Sequence, residues 1–211
     1  VKNKITMADY ATLNIQPTEI TVEPGETGSS VIKLQNISTL VDVFQISVSS
    51  LGSDFYLLSQ TEFRLFPGDD AELEINFSPP ASSSSLAGLY EFTVNLTSRN
   101  HPGETLSIPA TVEVSPYYAF ETSIRPERVT GSSGEFSLSI TNQSNTALSF
   151  QGRGEDPEDF CRFQFPSDSV EISPGQQLEV PVRVTTRKRP FRGSPKSYSL
   201  SIAVTPDQVS D

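Results

Sequence analysis

The chain has 211 residues, with 15 Lys and Arg against 26 Asp and Glu, for a formal net charge of −11. That balance excludes the counterion-releasing basic surface that general nucleic-acid binding needs, and it opposes anionic membrane surfaces. A single Cys excludes an internal disulfide and a single His a multi-His metal site; no apolar run is long enough to span a membrane as a helix.

The remaining composition points to turn-rich β structure. There are 12 Gly and 16 Pro, while 13 Phe and 6 Tyr are enough to fill cores. The chain opens at Val1 with no basic-then-apolar leader, the expectation for a piece of a longer protein. The first half, to residue 115, has 5 basic and 14 acidic side chains; the second has 10 and 12.

In chain order, Leu13 and Ile15 lead to Pro17, then Ile20 and Val22, then Pro24-Gly25. A strand over 29–36 ends in Asn36-Ile37-Ser38. Residues 63–77 place Pro67-Gly68 before an alternating strand in which Leu73, Ile75 and Phe77 face one way. Tyr90, Phe92, Val94 and Leu96 alternate with polar neighbours in the next strand, and a hairpin at His101-Pro102-Gly103 follows.

The same order then recurs. Ile124-Arg125-Pro126 answers the first segment, and Phe136, Leu138 and Ile140 lead to Asn142, 106 residues after Asn36. Pro174-Gly175 lies 107 residues after Pro67-Gly68, and Tyr198, followed by Leu200, Ile202 and Val204, lies 108 after Tyr90. Period-2 alternation with turns every 8–12 residues predicts an all-β protein. The expected fold is two tandem immunoglobulin-like antiparallel β-sandwiches of about seven strands each, with Greek-key connections. The expected domains are residues 1–115 and 116–211. Pro17 and Pro126 cannot donate to a ladder, so each first strand should kink there and switch sheets. Tyr117, Tyr118 and Phe120 are expected to pack at the short junction, giving an end-to-end rod.

These landmarks resemble the immunoglobulin-like modules found in tandem in bacterial surface and multidomain proteins. The nearest resemblance is to modules of the NEW3 and ASPM/SPD-2/Hydin types in cyanobacterial and actinobacterial proteins. It covers about 10–205 and rests on Pro17, Pro24-Gly25-Glu26, Asn36, Ser38, Val41-Asp42, Phe44, Leu51, Pro67-Gly68, Pro79, Ala87-Gly88 and Ser98. The second copy has Pro126, Asn142, Ser144-Asn145, Asp156-Pro157, Pro174-Gly175 and Gly193. Many such modules have Trp where Phe55 or Tyr56 stands here. The resemblance implies a non-catalytic accessory module beside other domains. The compartment is left open by the single Cys, with an extracytoplasmic or cell-surface setting slightly favoured over the cytoplasm.

Residues that could carry chemistry are few. His101 reads as an exposed turn residue with no fixed partner, and a nucleophilic triad needs a His beside its Ser or Cys. Cys161, among Phe160, Phe163 and Phe165, reads as a buried thiol. Glu155, Asp156, Glu158 and Asp159 read as a solvated acidic loop, with a calcium site as the alternative. A sandwich of this size offers no obvious cleft for paired carboxylates. Four Asn-x-Ser/Thr sequons occur, at Asn36, Asn76, Asn95 and Asn142. Asn36 and Asn142 are equivalent strand ends at which an Asn side chain bonds the turn backbone, and that role is preferred to glycosylation.

One segment differs sharply between the copies. Arg187, Lys188, Arg189, Arg192 and Lys196 surround Phe191, where the first copy has the uncharged segment SPPASSSSLAG. On an acidic protein this is a candidate partner contact, with a solvated loop as the alternative.

The sequence therefore predicts a tandem interaction or spacer module of a larger bacterial protein. It would have a protein partner, no cofactor and no membrane insertion, and would be monomeric as an isolated fragment. One alternative is a periplasmic pilus-type chaperone, which also has two immunoglobulin-like domains in about this length. Such chaperones usually hold a subunit carboxylate with basic residues on the first strand and on the last strand of the first domain, yet 11–22 and 105–114 contain no Lys or Arg. The other is a hydrolase with an unrecognised carboxylate site.

Overall fold

The computed structural model describes residues 4–187 and 197–207. It is all-β, and the chain divides into two compact units: residues 1–81 with 85–117, and residues 82–84 with 118–211.

The first unit has ten strands: β1 (Lys4–Met7), β2 (Ala11–Gln16), β3 (Glu19–Val22), β4 (Gly28–Asn36), β5 (Asp42–Ser49), β6 (Tyr56–Leu58), β7 (Glu62–Leu65), β8 (Asp70–Phe77), β9 (Gly88–Ser98) and β10 (Thr105–Val114). They form two five-stranded sheets, β1-β2-β4-β8-β6 and β3-β10-β9-β5-β7. Alternation places Leu13, Ile15, Ile32, Leu34, Leu73, Ile75 and Phe77 of one sheet against Phe44, Ile46, Phe92, Val94, Leu96 and Ile108 of the other, all buried.

The second unit has seven strands among the described residues: β11 (Phe120–Arg125), β12 (Ser133–Asn142), β13 (Leu148–Glu155), β14 (Cys161–Gln164), β15 (Val170–Ile172), β16 (Gln177–Thr186) and β17 (Ser201–Pro206). Their sheets run β11-β12-β16-β14 and β15-β13-β17. Leu138, Ile140, Leu148, Phe150, Ile172, Val180 and Val182 form the core, which is smaller than the first. Phe120, expected at the junction, belongs to β11 and sets its ring edge-on to Phe150 at 5.2 Å.

Three expectations need correction. The first unit exceeds seven strands because β1 adds a hairpin to β2 and because Pro17 divides the first strand in two. Not every pair is antiparallel, since β3 lies parallel to β10. The chain crosses between sheets at Pro17 without reversing direction, and so enters the second sheet running the same way as β10. In the second unit, β11 stops at Arg125 before Pro126, but residues 126–132 form no strand. Its second sheet has no counterpart of β10 among the described residues, so a switched segment has no ladder to join.

The turns follow local chemistry. Each of the four Pro-Gly pairs at 24–25, 67–68, 102–103 and 174–175 places its Gly at positive φ, between 72° and 89°. The residue after each Gly donates its N–H to the carbonyl of the residue before the Pro, at 3.0–3.2 Å. Proline presets the first central position of a type II turn, and the second requires φ above zero.

Two glycines of β13 have a different role. A Cβ on Gly154 would fall 2.0 Å from the ring of Phe163, and one on Gly152 would fall 2.8 Å from Phe165. The rings occupy the space those side chains would need. Gly154→Ala should therefore destabilise the chain by about 1–3 kcal/mol through overpacking. Urea denaturation checks this: Phe163→Ala should recover part of the loss in the G154A background and cost stability alone.

Candidate functional site

The sequence landmarks converge on one pole of each sandwich. Asn36 ends β4 with its side chain fully buried. Its Nδ2 donates to the carbonyls of Leu40 (2.8 Å) and Leu65 (3.1 Å). Its Oδ1 accepts from the N–H (3.0 Å) and hydroxyl (2.7 Å) of Ser38. Its backbone closes on the Pro-Gly turn, with Asn36 N–H donating to Asp69 O at 2.9 Å and Gly68 N–H to Asn36 O at 2.8 Å.

Asn142 repeats every bond. Its Nδ2 donates to Thr146 O (2.9 Å) and Ile172 O (2.8 Å), and its Oδ1 accepts from the N–H and hydroxyl of Ser144. Its N–H donates to Gln176 O at 2.9 Å, and Gly175 N–H donates to its carbonyl at 2.8 Å. Both residues are fully buried with both Nδ2 hydrogens bonded to backbone carbonyls, so neither Asn is presented for glycosylation.

His101 is not the exposed, partnerless residue expected. Its imidazole stacks on Tyr10 at 4.3 Å and 12°, and the residue is half-buried. Burial, with the carboxylates of Glu104 and Asp42 nearby, raises the Tyr10 phenol above its ordinary pKa. Asp42 is buried and accepts from the Ser98 hydroxyl, Val43 N–H (2.7 Å) and Asn100 N–H (3.2 Å). Ser98 Oγ accepts from the His101 backbone N–H at 3.1 Å. Ser, His and Asp thus meet without forming a triad. The serine proton goes to the carboxylate, and the imidazole packs face-on against a phenol. Sequence reading missed this cluster because Asp42 and Ser98 lie 56 residues apart.

The acidic loop is also used internally. Asp156 accepts from the N–H groups of Glu158 (3.0 Å), Phe160 (2.7 Å) and Cys161 (2.7 Å). Desolvation pulls its carboxyl upward, but these backbone donors outweigh it and hold the group below the ordinary Asp range. Cys161 is buried; that burial, with the charge and hydrogen bonding of Asp156, raises its thiol, and Arg187 offsets only part of the effect.

Of the basic segment, Arg187 alone lies within the described residues. Its guanidinium pairs with Asp159 (2.9 and 3.0 Å), and its Nε donates to Cys161 O at 3.1 Å. It clasps the acidic loop against the end of β16. Lys188, Arg189, Phe191, Arg192 and Lys196 lie outside the described residues.

The first unit does have a concavity, which the sequence did not suggest. A groove of about 600 Å³ runs over the outer face of β9 and β10, lined by Lys4, Glu19, Glu91, Thr93, Pro109 and Thr111 among others. Among the described residues, no group of three His, Cys, Asp or Glu side chains is placed to hold a metal ion.

No protein-family model matches the chain, and no curated protein matches it. Among solved structures, it is similar to the ASH/PapD-like domain 7 of human CEP192, at 19% identity and TM-score 0.37, over 52% of this chain and 88% of that one. The MSP-domain-like protein SSP-19 of Caenorhabditis elegans aligns at 20% identity and TM-score 0.34, over 47% of this chain and 97% of its own. The Escherichia coli chaperone DraB aligns at 14% identity and TM-score 0.34, over 80% and 85%. Likenesses this distant say nothing of partner or activity.

Because the folded-state pKa of Asp156 is depressed, its stabilisation is fully present above the unfolded Asp value of about 3.9 and is lost as pH falls through the lower folded value. Asp156→Asn should flatten the acid limb of stability below about pH 4. Circular dichroism melts between pH 2 and 6 check this, and an acid limb unchanged from wild type would contradict it.

Proposed function

We propose that the chain is a non-catalytic pair of immunoglobulin-like modules serving as an interaction or spacer element of a larger bacterial protein, in an extracytoplasmic setting. The observation that supports this most is the recurrence of the buried Asn network, bond for bond, at intervals of 106 and 107 residues. It marks two units built to one scheme, with polar groups committed to holding loops rather than to facing a substrate. Asp42, Asp156, Asp159 and Arg187 are used in the same way.

The pilus-chaperone alternative shares the two-sandwich plan. Its carboxylate anchor would fall on β2, β3 or β10, and none of these strands has a Lys or Arg.

Within this proposal the basic segment beyond Arg187 is the partner contact. Arg187 is best left intact in a test, because it holds the acidic loop. The full chain and a K188E/R189E/R192E/K196E variant serve as baits in a lysate of the source organism. The expected result is a protein retained by the wild type and released by the variant. Identical captures would remove the basic segment as a contact and leave the spacer role. Turnover of a panel of glycan and ester substrates by the purified chain would overturn the non-catalytic reading.

A further inference from the structure

One corner recurs in both units, built the same way and charged oppositely. In the first, Val43 of β5 lies between Arg64 of β7, its ladder partner, and Arg99, whose N–H donates to Val43 O at 3.0 Å. In the second, Ser149 of β13 lies between Glu171 of β15, its ladder partner, and Asp207, whose N–H donates to Ser149 O at 2.8 Å. The Asn networks fix the equivalence. Arg64 precedes Leu65 and Glu171 precedes Ile172, the residues whose carbonyls accept from Asn36 and Asn142. Strands pair about 4.8 Å apart, so the outer two residues of each row stand about 10 Å apart across the sheet.

Alternation turns both rows outward. Their chain neighbours Phe44, Phe63, Leu65 and Ser98 are buried in the first unit, and Leu148, Phe150 and Ile172 in the second, while Arg64, Arg99, Glu171 and Asp207 are all exposed. None of the four forms an ion pair among the described residues, where the pairs are Lys33–Glu72 and Arg187–Asp159. Asp207 accepts a long bond from the Ser169 hydroxyl, at 3.5 Å. Two unpaired arginines in one row stand out, since the first 115 residues have 5 basic side chains against 14 acidic. The fold does not ask for them, because the same backbone in the second unit has carboxylates there. On one side of the arginine row are Val41 and Phe66, 37% and 59% exposed, where the second unit has Ala147 and Ser173. On the other side is Glu62, which accepts from Gln45 Nε2 at 3.1 Å.

We propose that these corners are the two halves of a self-association site, at which the first unit of one copy docks on the second unit of another, with Arg64 and Arg99 set over Asp207 and Glu171. Placed face to face with Val43 over Ser149, rows of equal spacing superpose, and each arginine meets a carboxylate. The exposed Val41 and Phe66 then border the contact and shield the ion pairs from water. The same charges disfavour the other pairings. Two first units so placed would oppose arginine to arginine, and two second units carboxylate to carboxylate. The matched rows therefore select the occupant, a second copy of this chain, and the order in which units meet. Each copy keeps one corner unused, so that copies add head to tail.

The inference deepens the interaction half of the proposed function, and its test is independent of the basic segment. The probe is the full chain itself, followed by sedimentation velocity at physiological salt, where exposed charges are screened beyond about 8 Å. Against the sequence expectation of a monomer, the wild type should associate reversibly as its concentration rises to about 1 mM, the range of a small, transient contact. R64E/R99E and E171R/D207R should each weaken association by about tenfold or more, and an equimolar mixture of the two should restore it. Both variants should melt with the wild type, since all four side chains are exposed. Each reversal moves the net charge by two, so R64E/R99E takes it from −11 to −15 and E171R/D207R from −11 to −7. General repulsion alone would thus weaken the first variant and strengthen the second. Four results would each overturn the proposal: a monomer at every concentration, association indifferent to both variants, association strengthened in E171R/D207R, or a mixture no stronger than its components. Failure here with partner capture through the basic segment intact would leave the proposed function standing.

Discussion

A buried asparagine at the end of one strand organises each sandwich. Asn36 and Asn142 both occupy the point where a strand of one sheet gives way to a loop that must cross to the other. Such crossings leave backbone carbonyls outside the ladders, those of Leu65 and Ile172 in the interior, where an unpaired carbonyl costs about 1–3 kcal/mol. The side-chain amide has two donors for two such carbonyls, Leu40 and Leu65 in one unit, Thr146 and Ile172 in the other. Its oxygen holds the Ser two residues on, and its backbone locks the Pro-Gly turn. One residue thus ties the loop that follows it to a turn some thirty residues further along the chain.

With that pole fixed, the rest of each sheet follows from alternation, and the units differ in the strands their described residues form. In the first unit, β10 and β3 complete the ladder of the second sheet, so that β9 pairs on both of its edges. Among the described residues the second unit has no counterpart of either strand, residues 126–132 join no sheet, and Val129 is exposed. Its core compensates in part with aromatic rings laid over Gly152 and Gly154, where the first unit has Ile46 and Val48.

Much of this was legible in the residues. Period-2 alternation located β8, β9 and β12, and the Pro-Gly pairs located the turns, because both signals are local. The value of Asn36 and Asn142 as landmarks was also readable, since Asn in a turn has few other physical roles. The partner carbonyls were not, because Leu65 and Ile172 reach them only through the fold. The Asp42–Ser98 contact and the stacking of His101 on Tyr10 were hidden for the same reason. The pairing of β17 with β13 alone among the described residues was invisible in the sequence, because Ile202 and Val204 have the pattern of an ordinary central strand.

Native-state amide exchange at the two poles tests the organising role of the asparagines most directly. The N–H groups of Ser38 and Gly68 in one unit, and of Ser144 and Gly175 in the other, lie in loops but bond to an Asn side chain or backbone. If these networks hold the sandwiches closed, the four amides exchange only when their whole unit opens, at the rates of core strand amides such as Ile32 and Ile140. Exchange at the rate of the open turn at Gly103 would show that the poles fray on their own, and that the cores, not the asparagines, hold the fold.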